Sequence, residues 1–245
     1  MGVRISLALA AALAAPPATA SREAGAVYGL SIAGIPIGEA RLSAVVADGR
    51  YRIEGSADVG FLFWGGEGVA VAEGAAAEGR LRPDRYSLRY EGVTRPGAVE
   101  IAFDGGRAVD WRREPPIPEK YREGRVDIGP EALSGVLDPL SALVIPAGHD
   151  APADAVCGRV LPVFSGYTRF DLELVRAEAL DGDAVVCETR YRPVAGHRRD
   201  SEGVKRLSKP GAFSVRLAPV ADGLWGPDRV AMETRFGLFE LKRRR

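Results

Sequence analysis

Along most of this chain apolar and polar residues alternate with a period of two, and no other property limits the fold so strongly. Successive side chains of a strand point to opposite faces, so a half-buried strand needs this alternation, whereas a helix repeats its apolar residues every three or four positions. Tyr28, Leu30 and Ile32 alternate, as do Leu42, Ala44 and Val46, then Tyr51, Ile53, Gly55 and Ala57. The spacing recurs at Tyr86, Leu88 and Tyr90, at Val99, Ile101 and Phe103, and at Val109 and Trp111. Asp48-Gly49 and Gly105-Gly106 stand where hairpins must reverse, because glycine accepts positive φ without a Cβ penalty.

The second half repeats the pattern. Arg159–Phe164, Thr168–Ala179, Ala184–Arg192, Phe213–Val220 and Arg229–Leu241 read as strands, with Ser165-Gly166 and Asp181-Gly182 as turns. Ala70–Arg80 is rich in alanine and glutamate, which favour helix, but Gly74 and Gly79 oppose it, and it reads as a weak strand of small residues. Roughly ten to thirteen strands exceed what an open sheet tolerates before it curls or closes. The expected fold is therefore all-β and antiparallel, a strongly curved or closed barrel-like body.

One helical candidate interrupts it. In Pro130–Val144 the residues Leu133, Val136, Leu137, Leu140 and Leu143 recur at helical spacing, and Pro139 breaks the run, which predicts two short helical turns. Its expected role is a plug at one end of the β-fold; the alternative is a gate over a cavity. Arg113–Pro118 carries three prolines and reads as an extended crossing, so any joint between two lobes falls near 113–120.

Residues 1–20 have one positive charge at Arg4, an apolar run from Ile5 to Ala15 and a small-x-small site at Ala18-Thr19-Ala20, the pattern of a cleavable signal peptide. That run is too short to span a bilayer, so residues 21–245 are expected to form one soluble domain with no transmembrane span. The chain holds 33 basic and 33 acidic residues, a balance that argues against nucleic acid as a partner. Lys242-Arg243-Arg244-Arg245 is the one basic cluster and reads as a solvated end, with anionic lipid headgroups as the alternative.

Five segments, in order, carry a family resemblance: Tyr28 to Gly38 (YGLSIAGIPIG), Val136–Leu143 (VLDPLSAL), Leu161–Phe164 (LPVF), Arg169–Leu172 (RFDL) and Tyr191–Arg198 (YRPVAGHR). Together they resemble the exported bacterial proteins of the DUF3108 family. The resemblance implies a β-rich periplasmic protein of Gram-negative bacteria, and it implies no activity and no site residues.

Cys157 and Cys187 are the only cysteines, and an oxidising compartment predicts a structural disulfide between them. A simple meander conflicts with that bond. It would place both cysteines opposite Arg176 on flanking strands, about 9.6 Å apart, beyond the Cα reach of roughly 7 Å. Either Cys157 bends out of the strand path, or the strands pair out of sequence order; the bond is expected to form and the plain meander to give way.

The remaining chemistry is sparse. His149 and His197 both lie in turn-like contexts, and His197 with Arg198 forms a candidate polar site. Ser165, His197 and Asp171 can be drawn as a hydrolytic set, but no G-x-S-x-G elbow exists. Metal-ligand spacing is missing, and Gly65-Gly66-Glu67-Gly68 lacks the order of a phosphate or dinucleotide loop, so it reads as a loop or bend. No cofactor is implied. Phe61-Leu62-Phe63-Trp64 is the densest aromatic run, and Phe61, Phe63 or Trp64 at a barrel mouth would contact a ligand. The sequence thus favours a non-enzymatic binding module for an apolar or envelope-derived molecule. An envelope structural or assembly factor that binds another protein is the alternative, and a hydrolase the third reading.

Overall fold

A computed structural model describes residues 21–61, 64–92, 95–148, 152–175 and 184–244. Seven strands come first: β1 (Arg22–Ile32), β2 (Ile35–Ala47), β3 (Arg50–Phe61), β4 (Trp64–Ala77), β5 (Arg80–Gly92), β6 (Gly97–Asp104) and β7 (Arg107–Glu114). Each pairs antiparallel with the one before, as the closely spaced turn signals require. Beyond a long connection lie β8 (Ile145–Pro146), β9 (Arg159–Phe164), β10 (Arg169–Val175), β11 (Val185–Ala195), β12 (Phe213–Ala221), β13 (Leu224–Thr234) and β14 (Gly237–Arg243).

The sheet runs from β7 back to β1, then from β14 back to β9, with β8 pairing β13 off this path. First and last strands therefore lie side by side, with Tyr28 opposite Arg243. The result is an all-β, antiparallel, nearly closed barrel with one seam, between β7 and β9. The connection between the halves bridges that seam. Gly135 N–H donates to the Gly106 carbonyl beside β7 at 2.7 Å, Leu137 N–H donates to Pro162 at 2.7 Å, and Phe164 N–H donates to Leu137 at 2.8 Å. Trp111 on β7 packs edge-on against Phe164 on β9, with ring centroids 5.4 Å apart.

This bridging segment also divides the interior. Leu133, Val136, Leu140 and Val144 join a cluster with Tyr28, Tyr51, Ile53, Ile101 and Phe164. Leu137 and Ile145 pack instead with Cys157, Cys187, Leu217 and Trp225. The expected broken helix is a pair of 3-10 turns, Pro130–Leu133 and Ser141–Leu143, with non-helical chain between them. Its apolar residues consequently do not share one face; neighbours Val136 and Leu137 serve different clusters.

Several expectations need correction. Arg229–Leu241 is not one strand but the β13–β14 hairpin, turning at Arg235-Phe236. Val230, Met232, Phe236 and Leu238 keep period two across the turn, which hid the reversal. Thr234 Oγ1 stabilises it, accepting from Phe236 N–H at 3.1 Å and donating to the Gly237 carbonyl at 2.7 Å. Gly65-Gly66-Glu67-Gly68 is not a loop but part of β4. A Cβ at Gly66 would collide with the Glu91 carbonyl oxygen, so glycine lets β4 and β5 approach. Two short helices were not foreseen, α1 (Ala153–Val156) and α2 (Glu202–Leu207), the latter capped by Ser201 Oγ, which accepts from Val204 N–H at 3.4 Å.

The Cys157–Cys187 disulfide forms, with Cα atoms 5.7 Å apart. β9, β10 and β11 nonetheless pair in sequence order, so the meander holds. The conflict is resolved at Cys157, which sits in the bend between α1 and β9, where Gly158 takes φ +65° and turns the chain off the strand path. The proposed signal segment 1–20, His149, Phe63 and the Asp181-Gly182 turn lie outside the described residues.

Candidate functional site

The inward positions of β2, β3 and β4 become small towards one end of the barrel: Ala40 on β2, Gly55 and Ala57 on β3, Gly68 and Ala70 on β4. Further along, Tyr51 and Ile53 on β3, Tyr86 on β5 and Ile101 on β6 fill the interior. The change in side-chain size leaves a cavity of about 220 Å³, bounded by Tyr28, Leu42, Leu88 and Leu241 and by Leu140 and Leu143 of the interior turn. A Cβ at position 55 would lie 2.8 Å from Leu140 Cδ1, so Gly55 makes room for that turn.

The turn is held by a buried polar chain. Asp138 Oδ1 accepts from the N–H groups of Leu140 at 2.9 Å and Ser141 at 2.8 Å, and its Oδ2 accepts from Ser141 Oγ at 2.6 Å. With the Ser141 hydroxyl donating to the carboxylate, Tyr51 on β3 donates to Ser141 Oγ, 2.8 Å away. Asp138 is fully buried; burial raises its pKa to about 6, although these hydrogen bonds pull it down. Burial likewise raises Tyr51 and Tyr86, helped by the nearby Asp138 charge.

Tyr28 on β1 differs from Tyr51. It lines the cavity, is almost wholly buried, and among the described residues its hydroxyl has no hydrogen-bond partner. Burial, opposed by Arg243, pushes it up to about 12, so it stays a neutral donor at any physiological pH. A buried hydroxyl without a partner costs about 1–3 kcal/mol, and among the described residues Tyr28 is the one cavity-lining residue with such a buried unpaired atom.

The residues singled out in the sequence lie elsewhere. Phe61 and Trp64 face each other in register at the end of the β3–β4 hairpin, and only their backbone is described. His197 follows Gly196 in a turn, where its carbonyl accepts from Val126 N–H at 2.9 Å and its buried Nδ1 has no partner among the described residues. Arg198 turns outward and donates to both carboxylate oxygens of Asp200, each at 3.1 Å. Ser165 Oγ is 2.8 Å from Thr168 Oγ1, while Asp171 pairs with Arg169 at 2.6 Å and Arg192 at 2.8 Å. None of these bonds joins Ser165, His197 and Asp171 to one another.

Sequence reasoning missed Tyr28 and Asp138 as residues of interest. A signal is present, because Gly55 and Ala57 fall on one strand face and Ala70–Arg80 reads as a small-residue strand. Adjacent small-walled strands are how a barrel keeps an interior open.

Fold and cavity together define an antiparallel barrel-like protein with an interior apolar compartment. Residues 26–241 match the profile of the family described as "Protein of unknown function (DUF3108)", and the chain belongs to that family. No curated protein and no solved structure matches it.

Proposed function

We propose that the protein is a non-enzymatic binding module that holds an apolar or envelope-derived molecule in the small-walled cavity. The observation that carries this reading is the apolar cavity lined in part by Tyr28, whose buried hydroxyl has no hydrogen-bond partner among the described residues. Its volume of about 220 Å³ is below the roughly 300–1,000 Å³ of sites that enclose a whole drug-sized ligand. The ligand is therefore elongated, with one apolar end inside and its remainder at the barrel mouth, where the Phe61–Trp64 hairpin end would meet it.

The setting we assign is the periplasm, reached through the signal-like segment 1–20. The disulfide supports an oxidising compartment. The outer wall carries ion pairs, including Arg52 with Glu54 and Glu73, Arg50 with Asp84 and Arg89 with Glu100, as a water-facing wall would and a lipid-facing one would not. Among the described residues no helix is long and apolar enough to cross a membrane.

A second reading, an envelope assembly factor that binds another protein, draws support from exposed apolar residues on the adjoining β1–β2 and β13–β14 hairpins. Ile35 is 56% exposed, Phe236 50% and Leu238 41%.

The apolar fluorophore 1-N-phenylnaphthylamine tests the first reading. The wild-type protein should enhance its emission, and Ala70→Phe, which fills the cavity, should abolish the effect while keeping a cooperative unfolding transition. Ala57→Leu serves if the larger substitution prevents folding. No enhancement by wild type, or the same enhancement by a folded cavity-filled variant, would overturn the reading.

A further inference from the structure

A second, larger cleft of about 700 Å³ lies on the other side of the interior turn, between the β4–β5 turn and the bend that carries Cys157. Four glycines, Gly79, Gly135, Gly148 and Gly158, are among its lining residues, as are two arginines, Arg80 and Arg159. Arg159 stands at the start of β9. One of its terminal nitrogens donates to the Ala155 carbonyl at the end of α1, while its Nε is buried and has no acceptor among the described residues. Arg80 opens β5 and makes no ion pair or hydrogen bond among the described residues. Glu78 also lines the cleft, with its carboxylate 3.8 Å from Arg82.

Arg159 is partly buried near the exposed Arg80, so it gives up hydration beside a like charge, and among the described residues neither guanidinium has a carboxylate partner. Consistent with this, burial and then the positive charge of Arg80 lower the Arg159 pKa from its ordinary value. An anion between them would offset the like charge and offer acceptor oxygens to the guanidinium donors. Guanidinium donors suit the oxygens of a carboxylate or phosphate, and glycine-rich backbone lets a ligand approach closely.

We propose that this cleft is an oxyanion site, in which Arg80 and Arg159 hold the carboxylate or phosphate group of a small molecule. It is separate from the apolar cavity, and either site can be occupied when the other is blocked.

Unfolding midpoints and isothermal titration calorimetry with inorganic phosphate and with citrate, at ionic strength held constant with sodium chloride, test the proposal. At least one of the two anions should raise the wild-type midpoint above the chloride control, and which one does so identifies the group. Arg80→Ala, an exposed change, should raise the Kd at least tenfold and leave phenylnaphthylamine binding unchanged. Arg159→Lys, which keeps the charge but loses the fork, should weaken binding as well. Equal midpoints in phosphate, citrate and chloride would overturn the proposal, as would undiminished affinity in Arg80→Ala; both outcomes are readable without Arg159→Lys if that variant fails to fold.

Discussion

Ser141 donates a 2.6 Å hydrogen bond to the Asp138 carboxylate at a place where neither residue has any solvent exposure. Because burial raises the folded pKa of Asp138 from 3.8 to about 6, the folded protein binds its proton more tightly than the unfolded chain does. The stabilisation from this group is full below about pH 4 and is lost as pH rises through about 6; a shift of this size corresponds to about 3 kcal/mol. Asp138→Asn should remove that slope. Denaturant unfolding at pH 4 and pH 7 for both proteins checks it, and parallel pH dependences would show that Asp138 does not titrate between them.

Tyr28→Phe removes a buried hydroxyl that has no partner among the described residues. The ligand-free protein should gain about 1 kcal/mol of stability, the reverse of most buried truncations. If the hydroxyl serves a bound molecule, the same variant should bind that molecule more weakly. A clear loss of stability in Tyr28→Phe would mean that the hydroxyl already has a structural partner.

The RFDL segment makes a different kind of demand. Arg169 is largely buried, donates to the Ala132 carbonyl at 2.9 Å, and pairs with Asp171 at 2.6 Å. Asp171→Ala strands a buried cation and should cost about 3–5 kcal/mol. Arg192→Ala, which removes the exposed partner of the same carboxylate, should cost about 1 kcal/mol or less. Equal losses measured by urea unfolding would contradict this ordering.

Gly74 marks a bulge, where the β4–β5 register shifts between Glu73 and Gly74. A Cβ there would collide with the Arg82 carbonyl oxygen and lie 2.7 Å from the Tyr51 ring. Gly74→Ala should destabilise by roughly 3 kcal/mol, at the upper end for overpacking. An unchanged thermal midpoint would show that the two strands separate more freely than their pairing suggests.

The unfolded protein should present no free thiol before reduction and both Cys157 and Cys187 afterwards. The closed loop should contribute roughly 3–4 kcal/mol to stability. Equal thiol titres in the two states would exclude the bond.

Antiparallel pairing and the cysteine conflict are readable in the sequence because each follows from local spacing, whereas the strand count falls short, ten to thirteen against the fourteen described. Period two names a strand wherever it occurs, but it is indifferent to reversal, so Thr234 to Gly237 passed unnoticed as a turn. Helical spacing at Leu133, Val136, Leu137, Leu140 and Leu143 was misleading for the opposite reason. Residues that fill two clusters on either side of an irregular segment can match a helical period by coincidence. The cavity was least legible, because it depends on which small residues meet across neighbouring strands and on where Leu140 comes to rest. Phe61, Phe63 and Trp64 drew attention by their size, whereas the compartment is made by Gly55, Ala57 and Ala70.

The antiparallel neighbours β1 and β14 come from opposite ends of the chain. A chain that emerges amino end first can fold β1 to β7 as a local meander, yet one edge of β1 stays bare until β14 has been made. Exposed strand edges are templates for aggregation. The interval between completion of β7 and arrival of β14 is therefore the one in which the bare edge of β1 can pair with another chain instead of its own partner.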